Sequence, residues 1–102
     1  MMGWATFAIE ALRRGETVTI RPRGHSMSGR VNDGDRVTLK PADPETLQIG
    51  DVVLVRVKGN VFLHLIKAKS QGRFLIGNNR GKINGWVGPN CVYGVAIEIE
   101  PS

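Results

Sequence analysis

Two runs rich in β-branched and aliphatic residues, 51–58 and 61–69, flank the dipeptide Gly59-Asn60. That spacing predicts a β-hairpin with a two-residue turn, glycine first. A chain of 102 residues built around such a hairpin has room for one domain, 1–102, with a modest core. Thirteen glycines and five prolines cut the rest into short pieces. That pattern favours many strands and turns over long helices.

The other segments agree. Trp4, Phe7, Ala8, Ala11 and Leu12 recur at helical spacing, which predicts an amphipathic helix over about 3–14, packed on a sheet by that stripe. Arg13 and Arg14 suit its C-terminal end, and Gly15 suits the cap. From about 17 to 100 the periodicity is that of strands. Residues 17–21 and 36–40 alternate, Asn32-Asp33-Gly34-Asp35 signals a turn, and 41–50 reads as a loop. A short strand is expected at 73–76, loop-like chain over 77–90, and a last strand over 91–99. The expected fold class is mainly β, a rolled, barrel-like sheet with one N-terminal helix.

Composition narrows the function. No stretch approaches the ~20 apolar residues of a membrane span. Glu10 interrupts the first apolar run and the arginine pair follows it, unlike a secretion signal. Cys91 is the single cysteine, so no internal disulfide forms and no metal-type spacing exists. A reducing, cytoplasmic setting is the expectation, with no cofactor. The net charge is +5, and between Lys67 and Ile97 stand five Lys/Arg and no acid. Such a surface suits a solvated face, or nucleic acid, an acidic protein or anionic lipid as a partner. Phe74 is the only aromatic between Lys67 and Lys82, so stacking on nucleic-acid bases is poorly served.

Chemistry concentrates on two residues. Ser26 follows a strand, in a loop with Gly24 and Gly29. Such a loop lets a substrate backbone approach and lets backbone N–H groups converge as an oxyanion hole. A serine needs a base to become nucleophilic. Of the two histidines, His25 adjoins Ser26 and is expected to point elsewhere. His64, in the second hairpin strand, shares a face with Phe62, Ile66 and Ala68 by alternation. Apolar neighbours keep an imidazole neutral and competent as a base. Lys67 and Lys69 are alternative bases, both expected on the opposite face.

Taken together, several segments resemble the signal peptidase I and LexA superfamily of serine peptidases. Gly24-His25-Ser26-Met27 followed by Asn32-Asp33-Gly34-Asp35-Arg36-Val37 resembles its nucleophile box. Ile49-Gly50-Asp51-Val52-Val53 resembles the second Gly-Asp corner, and Phe62-Leu63-His64-Leu65-Ile66 the segment that carries the base. Gly77-Asn78-Asn79-Arg80 and Asn84-Gly85-Trp86-Val87 resemble the two late boxes, and Val92-Tyr93-Gly94-Val95 the closing strand. The likeness runs from about residue 22 to 97, in the family's order.

The resemblance implies Ser26 as nucleophile, His64 as base, and backbone amides around Gly24, His25 and Met27 at the oxyanion. Asn78 and Asn84 stand where the family's late boxes carry aspartate. Bacterial members use lysine at the His64 position, and the endoplasmic-reticulum type uses histidine. Gly24 offers no hydroxyl to the oxyanion. No membrane anchor is expected, and the sequence lacks the Ala-Gly and Cys-Gly dipeptides at which LexA-like switches cut themselves. The expectation is a soluble, stand-alone serine endopeptidase-like protein cutting an extended peptide in trans. The alternative is a non-catalytic peptide-binding or regulatory module of the same fold.

Overall fold

Short apolar and β-branched runs organise seven antiparallel strands into one sheet. The computed structural model describes residues 3–102, apart from the Trp4 side chain. In chain order the elements are α1 (Trp4–Arg13), β1 (Val18–Ile20), β2 (Arg36–Pro41), β3 (Val52–Val57), β4 (Asn60–Ser70), β5 (Arg73–Gly77), β6 (Ile83–Val87) and β7 (Val92–Glu100). A 3-10 turn at Pro89–Cys91 leads into β7. Across the sheet the order is β1-β2-β7-β3-β4-β5-β6. The mainly β class with one helix is as expected. β1 and β6 are free edges, so the sheet stays open and does not close into a barrel.

Helix α1 ends where the sequence predicts. Gly15 takes φ +83°, and the Gly15 and Glu16 amides donate to the carbonyls of Leu12 and Ala11. This is a Schellman cap, for which a positive φ favours glycine. The buried face differs from the expected stripe. Ala8, Ile9, Ala11 and Leu12 are buried, while Phe7 is 60% exposed; the expectation for the Trp4 side chain lies outside the described residues. Close approach explains the rotation. Leu12 sits over Gly94 of β7, where a Cβ would come within 2.7 Å of Leu12 Cδ1. Small Ala8 and Ala11 let the helix settle on that spot, which turns Phe7 outward.

The sheet buries both faces. On one, Val52, Leu54, Leu63 and Leu65 pack with α1, Met27 and Val31. On the other, Val53, Val55, Val57, Ile66, Phe74, Ile76 and Val87 pack around Leu47 of the loop between β2 and β3. Burial of each such side chain contributes roughly 1.5–3 kcal/mol. Cys91 is half-buried against this second cluster.

Three local expectations change. The hairpin turn is Lys58-Gly59, one residue earlier than expected, because Val57 pairs with Asn60. Both turn residues have positive φ, +50° and +83°, the type I′ geometry whose twist matches the flanking strands. Residues 83–87, expected as loop, form edge strand β6 by pairing with β5. Asn84 and Gly85 weaken its sequence signal, and the β5 ladder supplies what local propensity does not. A bulge at Lys67 interrupts the β4–β5 register between Ile66 and Ala68. Beyond it Lys69 pairs with Phe74 and Ala68 with Leu75. Directly paired residues share a face, so Lys69 joins the face of Ile66 and Ala68 leaves it, the reverse of strict alternation.

Candidate active site

Two Gly-Asp corners frame the site. Gly34 (φ +84°) precedes Asp35, and Gly50 (φ +95°) precedes Asp51. Each aspartate carboxylate accepts the backbone N–H three residues upstream, Asn32 for Asp35 and Gln48 for Asp51, both at 2.9 Å. These glycines make tight turns and these acids cap them, which starts β2 and β3 in fixed positions. Asp33 Oδ1 accepts the Gly24 N–H at 2.7 Å. That bond ties the first corner to the loop that carries Ser26.

The Ser26 loop is braced from the other side by the segment between β5 and β6. The Asn79 N–H donates to the Ser26 carbonyl at 3.1 Å, and Asn79 Nδ2 donates to the Ser28 carbonyl at 2.8 Å. Within the loop, the Ser28 N–H and hydroxyl both donate to the His25 carbonyl, and Met27 is buried in the core. The buried Met27 side chain therefore anchors the loop while Ser26 stays at the surface.

His64 projects from β4 toward this loop. Its Nε2 lies 3.4 Å from Ser26 Oγ, and its Nδ1 lies 2.8 Å from Asn84 Oδ1. With Nδ1–H donating to Asn84, the Nε2 lone pair faces the serine hydroxyl. The Phe62 ring stacks on the imidazole at 4.6 Å between centroids and 14° between planes. His64 is only 5% exposed. Burial holds its pKa below the ordinary value of 6.5; the Asn84 hydrogen bond opposes that shift and the Lys82 charge adds to it. The imidazole is thus neutral at pH 7 and able to accept a proton.

A cavity of about 160 Å³ opens beside the pair, between the chain around Pro22–Gly24 and residues 61–64. Three successive amides here, those of His25, Ser26 and Met27, donate to no protein acceptor among the described residues. The edge of β4 is open as well. Residues 60–64 pair with β3 on one side, whereas β5 pairs with β4 only from Leu65 onward. In an antiparallel ladder, hydrogen-bonded and non-bonded pairs alternate. With Val57 and Asn60 closing the turn, the N–H and C=O of Val61 and Leu63 point to the open side.

Of the residues singled out from sequence, Ser26, His64 and Asn84 meet in one chain of contacts. Gly24, with φ +111°, lines the cavity, but its N–H is taken by Asp33 and, unlike those of His25 and Met27, is not free for an oxyanion. His25 is exposed and serves through its backbone. Asn78 does not reach the pair. Its buried Oδ1 accepts the N–H groups of Arg80 and Lys82 at 2.8 and 3.0 Å and so shapes the turn that delivers Asn84. The Lys69 ammonium donates to the Leu47 carbonyl, and Lys67 sits at the bulge with its Cγ against Gly77. Sequence reasoning missed Asn79. Its signal was the Gly-Asn-Asn-Arg box, in which neighbouring asparagines cannot be assigned to separate tasks without the turn geometry.

Comparison with protein families matches residues 5–85 to one family model, described as peptidase S24-like. The comparison with curated proteins finds no match.

Proposed function

The chain belongs to the peptidase S24-like family, and on that footing we propose that it is a serine endopeptidase acting on an extended peptide segment. Ser26 is the nucleophile, His64 the general base and Asn84 its orienting partner. The observation that carries this reading is the line of contacts from Ser26 Oγ through His64 to Asn84, at 3.4 and 2.8 Å. A peptide lying along the open edge of β4 would bond Val61 and Leu63 as an added strand. His64 Nε2 takes the hydroxyl proton as Ser26 Oγ attacks the scissile carbonyl carbon. The amides of His25, Ser26 and Met27 are available to the developing oxyanion. The imidazolium then protonates the leaving amine nitrogen, the C–N bond breaks, and an acyl-enzyme remains. Water, deprotonated by His64, hydrolyses the ester and regenerates the serine.

A second reading rests on one observation: Asn84, not a carboxylate, contacts His64. An amide orients the ring without neutralising its charge, which suits a module that holds peptides without cutting them. One experiment separates the two. Wild type, Ser26→Ala and His64→Ala are incubated with a library of extended peptides and read by mass spectrometry. The peptidase reading expects cleavage by wild type alone. Binding with no turnover, unchanged in Ser26→Ala, supports the module and removes the peptidase.

A further inference from the structure

A second cavity, of about 270 Å³, lies beyond Phe62, which lines both this cavity and the one beside Ser26. Its apolar surface comes from Val57, Phe62 and Ile83, and its polar rim includes Lys58, Lys82 and Asn84. The Lys58 side chain lies across β6: its Cε would stand 3.8 Å from a Cβ at Gly85. Neither ammonium has an acidic partner within 4 Å among the described residues. Every wall residue belongs to the run 52–97, which holds seven Lys/Arg and no Asp or Glu. Asn84 Oδ1 meets His64, and its Nδ2 has no acceptor among the described residues.

Building on the peptide-processing reading, we propose that this cavity takes an acidic side chain of the extended peptide, its carboxylate between Lys58 and Lys82 and its stem on Phe62 and Ile83. Charge complementarity selects the occupant. Two uncompensated ammonium groups over an apolar floor favour an anion on a short aliphatic stem, and a cationic or neutral polar residue gains nothing there. The substrate class is therefore an extended segment with glutamate or aspartate close to the scissile bond.

The test uses the Ser26→Ala chain, so that binding is read without turnover. Two capped tripeptides, acetyl-Leu-Glu-Leu-amide and acetyl-Leu-Gln-Leu-amide, are titrated against the isotope-labelled protein and followed by backbone amide NMR. The glutamate peptide is expected to move the signals of Lys58, Ile83 and Asn84, with an affinity about tenfold above the glutamine peptide. Lys58→Asn combined with Lys82→Gln should bring the two peptides level, and Arg73→Gln, outside the cavity, should leave the preference intact. Equal affinities, shifts centred elsewhere, or a preference that survives the double variant would overturn the proposal. Loss of cleavage in the wild type with the glutamate preference retained would remove the peptidase reading and leave this site standing.

Discussion

At the scale of single residues, the account turns on what an amide does where an acid would neutralise. Asn84 Oδ1 accepts from His64 Nδ1 at 2.8 Å, so it fixes the ring and its tautomer but adds no charge. Asn84→Ala removes that acceptor from a buried donor, a loss of about 1–3 kcal/mol. In a peptide-cleavage assay kcat should fall roughly ten- to hundredfold, with KM little changed. Asn84→Asp should raise kcat and move the acid limb of the pH profile upward, because a carboxylate stabilises the imidazolium. Stability follows the same group. His64 has a folded pKa below its unfolded value of 6.5, so the unfolded chain binds the proton first as pH falls. The stability present above pH 6.5 is lost as pH falls through that window to the lowered folded value. Urea unfolding of wild type and His64→Gln across pH 7 to 5 should show a steeper fall in the wild type.

At the scale of elements, the late segment between β5 and β6 governs the site from a distance. Asn78 caps it, Asn79 braces the Ser26 loop, and Asn84 leaves it to meet His64. Gly77 makes the turn possible, since a Cβ there would lie 2.6 Å from the Lys82 carbonyl oxygen. Gly77→Ala is expected to cost about 1–3 kcal/mol by overpacking and to lower kcat as Asn84 shifts. Gly81→Ala, at φ +91° in open space, carries backbone strain of about 1–2 kcal/mol but should spare activity. Denaturant midpoints and kcat for the two variants check this contrast. The same segment marks the limit of sequence legibility. Strands marked by alternation or by runs of β-branched residues, β2 to β4 above all, were readable, as were the Gly15 cap and the Ser26–His64 pairing through the family likeness. β6 was not, because Asn84 and Gly85 mask a strand that tertiary pairing creates. Nor was the division of labour among Asn78, Asn79 and Asn84, which depends on how the turn folds. The face of Lys69 was misread because one bulged residue, Lys67, inverts alternation beyond it.

At the scale of the whole molecule, one open sheet carries two cores, and the site forms where its covering loops meet. Helix α1 and the Ser26 loop cover one face together, with Leu12, Met27, Val31 and Leu63 in a single cluster. Stability and the position of the Ser26 loop therefore depend on one core. Leu12→Ala empties the contact over Gly94 and should cost about 2–5 kcal/mol, read as a lower urea midpoint. For a chain of this size that is a large share of the total. No helix among the described residues is long and apolar enough to cross a membrane.

The central claim is that the Ser26 hydroxyl is made nucleophilic by His64. The most direct measurement is the rate at which an activated ester of a short extended peptide acylates the protein, followed by intact-protein mass spectrometry across pH 5 to 8. The account predicts one adduct, on Ser26, forming at a rate that drops as pH falls through the lowered His64 pKa and nearly vanishes in His64→Ala. An adduct elsewhere, or a Ser26 adduct whose rate is the same in His64→Ala, would contradict it.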